Sequence, residues 1–302
     1  MKKLYEFATI FLGSASKKSG GGFYKMHLFR HTKKSFTIIL ASCSLFLGSS
    51  LFYQADNQAA FAKEKTVTIY LTRHGETTAN VTNKVQGWSD FPLTKNGTKV
   101  ASNLGKGLKG IKFTDAYTGN LTRQYRTAKI ALNNSNNKKV SIHESSSLRE
   151  GGYGSFEGDS IATDGDKMAA VYGYQTGDEF MQKAGKDYWN QLQDAYYKLD
   201  KENSDNTKLV KTDRAESSAD VQKRMTKEIK HIGKTHANKG GNVLVVSSGM
   251  SINQYLSGVT DKYKGTPLKN AAVTKITYKN GKVNVNSIGS LHYVNKGAKV
   301  NN

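Results

Sequence analysis

One stretch constrains the fold of this chain more than any other: an apolar run at residues 67–72 that stops at Arg73-His74-Gly75. The run has the length and β-branched composition of a buried strand, and the charged residues after it do not belong in a core. Ligands of open α/β sheets bind beyond the carboxyl ends of the strands, so a site is expected here. An imidazole can act as a nucleophile, and a guanidinium suits a phosphate dianion. We expect Gly75 to allow a sharp turn that exposes His74.

The residues after this strand extend the pattern. They read Arg73-His74-Gly75-Glu76-Thr77, then Asn80, Gln86-Gly87-Trp88, Asp90 and Pro92-Leu93-Thr94. Arg-His-Gly alone occurs by chance in solvated loops, whereas several spaced residues after a strand are a stronger match. The string resembles the opening of the histidine phosphatase superfamily, the phosphoglycerate-mutase-like proteins. The resemblance implies an α/β fold: a three-layer α/β/α sandwich with a mostly parallel sheet and a helical lid insertion.

A second stretch is similar to the second arginine motif of that family. The family motif usually reads Ser-Asp-Leu-x-Arg-Ala-x-x-Thr-Ala, and this chain has Gly119-Asn120-Leu121-Thr122-Arg123-Gln124-Tyr125-Arg126-Thr127-Ala128, with Gly119 and Asn120 in place of Ser-Asp. The resemblance implies that Arg123 clamps the phosphoryl group from the side opposite Arg73. Arg126 has no counterpart in the motif and is interpreted as a surface residue.

A third motif lies in the loop at residues 148–158, which is similar to the family loop Leu-x-Glu-x-x-x-Gly-x-x-Glu-Gly. The resemblance implies that Glu150 protonates the leaving oxygen. A carboxyl group in that role needs partial desolvation or nearby negative charge to hold a proton. Glu157 is expected to brace the loop.

The fourth family motif is altered. The predicted strand at residues 242–247 ends in Ser248-Gly249, where the family has Val-Ser-His-Gly with its second catalytic histidine. A hydroxyl can donate one hydrogen bond, and the N–H groups at the start of the following helix can hold an anion. What is lost is an imidazole that could carry positive charge against the transferring phosphoryl group.

The resemblance implies a phosphomonoester hydrolase that acts on small-molecule phosphate esters through a phosphohistidine. The residues carried over are His74 and Glu150 for catalysis, and Arg73, Asn80, Arg123 and Ser248 for phosphate binding. The scheme needs no metal or other cofactor, because arginines neutralise the phosphate. The alternatives are a catalytically inactive phosphate-ester binder at the cell surface and, less favoured, a phosphoglycerate mutase. For a hydrolase weakened by Ser248, we expect Ser248→His to raise kcat.

Residues 1–62 are interpreted as an N-terminal extension and a secretory signal peptide. An apolar run at residues 36–52 follows Lys33 and Lys34, and Ala60-Phe61-Ala62 has the spacing of a cleavage site. We expect a secreted or surface-associated protein with one histidine phosphatase domain at 63–302 and a lid insertion at about 159–216. A retained anchor is the alternative, although about 17 residues is short for a membrane span.

The chain is basic, with 45 Lys and Arg, 24 Asp and Glu, and a formal net charge of +21. A basic exported protein is expected to adhere electrostatically to an anionic cell wall. The lysines are spread along the chain without a reader motif, so no specific nucleic-acid partner is expected. Cys43 is the only cysteine and lies in the segment predicted to be removed, which excludes disulfides and thiolate metal sites from the mature chain.

Local patterns predict the secondary structure around these motifs. They predict a helix capped by Thr94, short strands at 115–118 and 140–142, a helix with a capping box at Ser217, and a hairpin that turns at Asn280-Gly281. Aromatic and aliphatic residues between 159 and 216 predict helices, and their spacing favours core packing over a ligand site.

Overall fold

The computed structural model describes residues 64–203 and 208–301. The predicted signal peptide and its cleavage site lie outside these residues. The strands are β1 Val67–Arg73, β2 Phe113–Thr118, β3 Ile142–Glu144, β4 Gly241–Ser247, β5 Val273–Lys279 and β6 Lys282–Ser290. The α-helices are α1 Thr78–Val81, α2 Lys95–Gly107, α3 Thr122–Asn134, α4 Ile161–Ala170, α5 Gly177–Ala184, α6 Tyr188–Glu202, α7 Ser218–His236, α8 Gly249–Val259 and α9 His292–Ala298. Within the described residues, no helix has the length and apolar composition needed to span a membrane.

The six strands form one mixed sheet in the order β3-β2-β4-β1-β5-β6. The first four strands are parallel, whereas β5 runs antiparallel to β1 and β6 antiparallel to β5. Arg73 at the end of β1 is in register with Ser247 at the end of β4. The residues that follow, His74 and Ser248, therefore leave the sheet at the same edge. The mostly parallel sheet confirms the fold class implied by the resemblance.

Helices cover both faces of the sheet because side chains alternate along each strand. On one face Ile69 and Leu71 pack with α7 and α8, and on the other Tyr70 packs with α2, α3 and α9. Buried apolar positions of α7 recur with the helical period, at Val221, Met225, Ile229 and Ile232. The result is a three-layer α/β/α arrangement in which the sheet is sandwiched between two cores.

A third apolar cluster joins helices α4, α5 and α6, which lie within the predicted lid insertion. Phe180 is fully buried at its centre and stacks on Tyr172 and Tyr174 with ring centroids 5.3 and 5.5 Å apart. Val85, from the segment after α1, joins the same cluster. Core packing therefore accounts for several of the aromatic residues between 159 and 216.

Most of the local predictions are confirmed. Thr94 caps α2 by accepting from the Gly97 N–H, and Ser217 forms a capping box with Asp220. The hairpin turns through Asn280 and Gly281, whose φ angles are 50° and 73°.

The predicted strand at residues 140–142 is wrong by two residues, since β3 begins at Ile142. The N–H of Val140 closes a turn onto the carbonyl of Asn137, 3.0 Å away, so this residue is part of the loop before the strand.

Candidate active site

His74 follows β1 and is held by its own backbone. Its N–H donates to the Ser247 carbonyl at 3.0 Å, and its carbonyl accepts from the Asn270 amide at 3.1 Å. The ring is buried, with the residue only 1% exposed. Nδ1 lies 2.7 Å from the Gly75 carbonyl, which can only accept, so Nδ1 carries the hydrogen. The lone pair is then on Nε2, the nitrogen available as a nucleophile.

Burial and neighbouring charges keep this imidazole neutral. Burial lowers the pKa of His74 well below its ordinary value of 6.5, and Arg123 and Arg73 lower the pKa further. The hydrogen bond to Gly75 opposes the shift more weakly. A neutral imidazole beside two guanidinium groups is an uncharged nucleophile in a site with positive charge for a phosphate dianion.

Gly75 has a different structural role from the one predicted. It does not adopt a positive φ. A Cβ added to Gly75 would lie 2.6 Å from the carbonyl oxygen of Gly97, so glycine allows the loop after β1 to approach the start of α2. The expectation that the turn exposes His74 is wrong, because the residue is only 1% exposed.

The two arginines are anchored to backbone carbonyls with different strength. Arg73 donates from Nη1 to Leu268 at 2.7 Å. Arg123 is fully buried and donates to three carbonyls, those of Ser89, Gln86 and Gly87, at 2.9, 3.2 and 2.7 Å. The Nε atom of each guanidinium is buried without a partner. Each arginine therefore keeps at least one N–H that could serve an anion.

Glu150 is bound at the N-terminus of α8. Its carboxylate accepts from the N–H groups of Gly151, Met250 and Ser251 at 3.1, 3.1 and 2.7 Å. Carboxyl oxygens accept hydrogen bonds in either protonation state, so these three N–H groups fix the position of the carboxyl group. The sequence predicted that the N–H groups at the start of this helix can hold an anion. Those of Met250 and Ser251 donate to the carboxyl group of Glu150.

Ser248 is tied to a residue that the sequence analysis missed, Gln124. The Gln124 Nε2 donates to Ser248 Oγ at 2.8 Å and to the Leu148 carbonyl at 3.0 Å, and both side chains are fully buried. A Cβ added to Gly119 would lie 1.9 Å from Gln124 Oε1, so only glycine at 119 leaves room for this side chain. Gln124 therefore packs against both Gly119 and Ser248. These three residues are called here the Gln124 cluster.

The signal that could have identified Gln124 was the helical period. Gln124 and Ala128 are four residues apart on α3 and both are buried. In the family motif quoted above, alanine stands where this chain has Gln124. A buried amide needs a hydrogen-bond partner, whereas the alanine of the family motif does not. Gln124 in place of alanine therefore indicates that another polar group lies next to it.

A cavity of about 280 Å³ opens at the edge of the sheet next to His74. Of the residues assigned by resemblance, Arg73, His74, Asn80 and Glu150 line it. Arg123 and Ser248 do not belong to the lining, although Arg123 is close enough to lower the pKa of His74, after the larger effect of burial. The structure therefore brings four of the six predicted residues to one cavity and buries the other two in its surroundings.

Further residues hold the site in shape. Asn80 Oδ1 accepts from the Thr77 N–H and from the Asn270 amide, both at 3.2 Å, which leaves its own amide hydrogens as donors. Glu157 braces the loops as predicted, since it accepts the N–H groups of Gly87, Trp88, Ser89 and Tyr153.

Arg224 on α7 was also missed, and no sequence pattern marks it. It donates to the carbonyls of Ser147, Arg149 and Glu150 at 2.8–2.9 Å and pairs with Glu216, which fixes the loop that carries Glu150. Across residues 64–203 and 208–301, no three His, Cys, Asp or Glu side chains are grouped in a way that could hold a metal ion.

Comparison with known proteins places this geometry in context. The model of the histidine phosphatase superfamily (branch 1) matches residues 69–188 and 181–290. A crystal structure of phosphoglycerate mutase from Bacillus anthracis is 33% identical and covers 78% of this chain and 99% of that one, with a TM-score of 0.69. YhfR of Bacillus stearothermophilus is 26% identical and covers 76% and 99% of the two chains, with a TM-score of 0.53.

Curated relatives match over a shorter part. The 2,3-bisphosphoglycerate-dependent phosphoglycerate mutase of Lactococcus lactis subsp. cremoris is 37% identical over 110 residues, which are 34% of this chain and 47% of that protein. The chain thus spans about half the length of the curated relatives it matches. Phosphoserine phosphatase of Entamoeba histolytica in complex with 3-phosphoglyceric acid, 21% identical over 76% of this chain and 99% of that one with a TM-score of 0.53, shares the fold.

Proposed function

Because the chain belongs to the histidine phosphatase superfamily, we propose that it is a phosphomonoester hydrolase that acts through a phosphohistidine on His74. The observation that carries this proposal is the state of the imidazole. Its Nδ1–H is fixed by the Gly75 carbonyl, 2.7 Å away, and its pKa is lowered by burial and by two arginines. Nε2 is thereby kept unprotonated at neutral pH, which a nucleophile requires.

The reaction follows from this arrangement in two steps. Arg73, and Arg123 from its buried position, neutralise the phosphate dianion while Nε2 of His74 attacks phosphorus and the P–O bond to the alcohol breaks. The alkoxide takes up a proton as it leaves, and water then attacks phosphorus, breaks the P–N bond and releases phosphate. Glu150 is the one carboxyl group among the described residues that line the cavity, so we assign both proton transfers to it.

A second candidate function is supported by the Gln124 cluster. The hydrogen bond from Gln124 ties Ser248 to a buried amide, and no imidazole stands at position 248. A site that keeps its phosphate-binding arginines but lacks this group could bind phosphate esters without turning them over. A phosphoglycerate mutase is the less favoured alternative, although relatives carry that name.

Turnover of 4-nitrophenyl phosphate separates these functions. A hydrolase releases phosphate and accumulates an acid-labile phosphoryl group on the protein, and His74→Asn loses both signals. His292→Ala is the matched control, because His292 is exposed and lies outside the cavity. A wild type that binds vanadate but neither turns over the ester nor becomes phosphorylated would instead be a phosphate-ester binder.

We also propose that the protein acts outside the cell, at a surface to which its positive charge adheres. The support is the pattern of residues 1–62 and the net charge of +21. Fractionation of a culture with mass determination tests the proposal. A mature mass that begins at Lys63 supports cleavage, whereas a mass that retains residues 36–52 indicates an anchored protein.

A further inference from the structure

The cavity next to His74 has a mostly apolar wall. Six large side chains of this wall are Val85, Tyr188, Trp189, Leu192, Tyr196 and Met250. Four of them come from α6, which places the predicted lid helices directly against the candidate nucleophile. An apolar wall beside a phosphate-binding end is suited to an ester whose alcohol is itself apolar.

Two further apolar side chains of the lining reach solvent. Ile161 at the start of α4 and Met181 on α5 are 49% and 45% exposed. Scattered exposed apolar residues are common on protein surfaces. Exposed apolar residues that continue a concave apolar wall more often belong to a binding surface. Burial of these two side chains against a ligand would remove apolar surface from water, which favours binding of apolar groups.

The charged groups of the cavity argue against a second negative charge on the ligand. The cations among its lining residues are Arg73 and Lys84. Arg73 serves the phosphate end, and Lys84 is near Asp164, whose pKa is raised by burial and lowered in turn by Lys167 and Lys84. Glu150 adds a carboxylate to the same cavity. A carboxylate on the alcohol would therefore meet Lys84 as the one cation not assigned to the phosphate end, together with the acidic side chain of Glu150.

The remaining polar groups of the lining are uncharged, and the size of the cavity is modest. Asn80, Gln86 and Asn253 contribute side-chain amides, and Asn253 Oδ1 is buried without a partner. A volume of about 280 Å³ is at the lower end of the range of about 300–1,000 Å³ for drug-sized ligands. The cavity suits a phosphoryl group with one ring or a short chain.

We propose that the site selects phosphate monoesters of uncharged alcohols with a small apolar or aromatic group, such as a benzyl ester, over esters that carry a second anionic group. The proposal rests on the proposed function only in placing the phosphoryl end at His74 and Arg73. It assigns the choice of substrate to the wall made by α6 and to the exposed side chains of Ile161 and Met181.

Binding of phosphonates, which cannot be hydrolysed, tests the inference directly. By calorimetry, we expect benzylphosphonate to bind at least tenfold more tightly than methylphosphonate, since each buried methylene is worth about fourfold in affinity. We expect 3-phosphonopropionate, which adds a carboxylate, to bind no more tightly than methylphosphonate. Equal affinities for the benzyl and methyl compounds, or tightest binding of 3-phosphonopropionate, would overturn the proposal.

Variants locate the selectivity in the apolar wall. Met181→Ala should lower the ratio of benzyl to methyl affinity by about three- to tenfold, because part of an apolar contact is lost. Val210→Ala is the matched control: Val210 is 60% exposed but does not line the cavity, so the ratio should stay unchanged. Circular dichroism checks that both variants are folded. An unchanged ratio in Met181→Ala would place the selectivity elsewhere and contradict the assignment.

The same experiment separates this inference from the proposed function. If wild type prefers benzylphosphonate but hydrolyses neither benzyl phosphate nor methyl phosphate, the substrate class stands and the hydrolase assignment fails. If it hydrolyses both esters with equal kcat/KM and binds both phosphonates equally, the hydrolase assignment stands and the substrate class fails.

Discussion

The ends of β1 and β4 lie side by side in the sheet, yet they keep the family pattern to different degrees. At the end of β1, Arg73 and His74 are present and the ring nitrogen Nε2 is free. At the end of β4, Ser248 stands where the resemblance implies a histidine, and it is hydrogen-bonded to Gln124. The residues at the end of β1 match the family pattern, whereas those at the end of β4 depart from it.

The departure at the end of β4 involves more than Ser248. Gln124 occupies space next to Ser248, and Gly119 is the residue that leaves room for Gln124. Packed interiors contain few voids, so a change at one of these three positions is expected to affect the other two. Four predictions test how far the two strand ends differ, beginning with the largest expected effect.

Replacement of His74 by asparagine should abolish turnover. The expected loss exceeds the roughly 10⁴-fold that removal of a general acid or base can cause, because no other imidazole lines the cavity among the described residues. Steady-state hydrolysis of 4-nitrophenyl phosphate measures the effect, with His292→Ala as the control. A residual rate equal to that of wild type would show that the end of β1 is not the reactive one.

Replacement of Ser248 by histidine alone should not raise kcat, a prediction that differs from the one drawn from the sequence. An imidazole that leaves Cβ in the direction of Ser248 Oγ meets the Gln124 amide, 2.8 Å from that oxygen, and overpacking costs about 1–3 kcal/mol of stability. Together with Gln124→Ala, the histidine has room and should raise kcat about 100- to 1,000-fold over Gln124→Ala alone.

A four-member cycle of wild type, both single variants and the double variant measures this coupling. Gly119→Ser in the double-variant background tests the third position, since serine should be tolerated only when Gln124 is absent. A full gain in kcat from Ser248→His alone would show that Gln124 does not restrict position 248.

Replacement of Arg123 by alanine should lower the free energy of unfolding by about 3 kcal/mol or more. The buried carbonyl of Gly87 and the partly buried carbonyls of Gln86 and Ser89 lose their donor, and a fully buried side chain is removed. Each unsatisfied buried group costs about 1–3 kcal/mol. Arg126→Ala on the same helix is the matched control, because an exposed side chain changes stability by about 0.5 kcal/mol or less. Urea unfolding measures both, and equal values would mean that Arg123 is not an anchor of the site.

The smallest expected effect is a pH dependence of stability that His74 contributes. Its pKa is lowered in the folded protein, so below about pH 6.5 the unfolded chain binds a proton that the folded one does not. This contribution to the free energy of unfolding is therefore complete above pH 6.5 and falls at lower pH. The loss grows as the pH falls below 6.5, by at most about 1.4 kcal/mol for each pH unit. His74→Asn should lack it, and parallel pH profiles for wild type and His74→Asn would contradict a neutral buried imidazole.

Elements whose interactions are local could be predicted from the residues alone. The strand before Arg73, the cap at Thr94, the capping box at Ser217 and the turn at Asn280 all depend on residues within a few positions of one another. The resemblance to the family predicted the mostly parallel sheet and placed the candidate site at the ends of β1 and β4. A hydrophobic period or a helix cap depends on residues that are close together in the sequence. These features can therefore be inferred without coordinates.

The way in which the site is completed depends on contacts between residues that are far apart in the chain. Gln124 meets Ser248 across 124 positions, Glu150 meets Ser251 across 101, and the chain folds Gly97 against Gly75. These contacts determine which donors are already occupied, why glycine is needed after His74, and which residues line the cavity. No local sequence pattern predicts these contacts. They depend on how helices that are distant in the chain pack against the sheet.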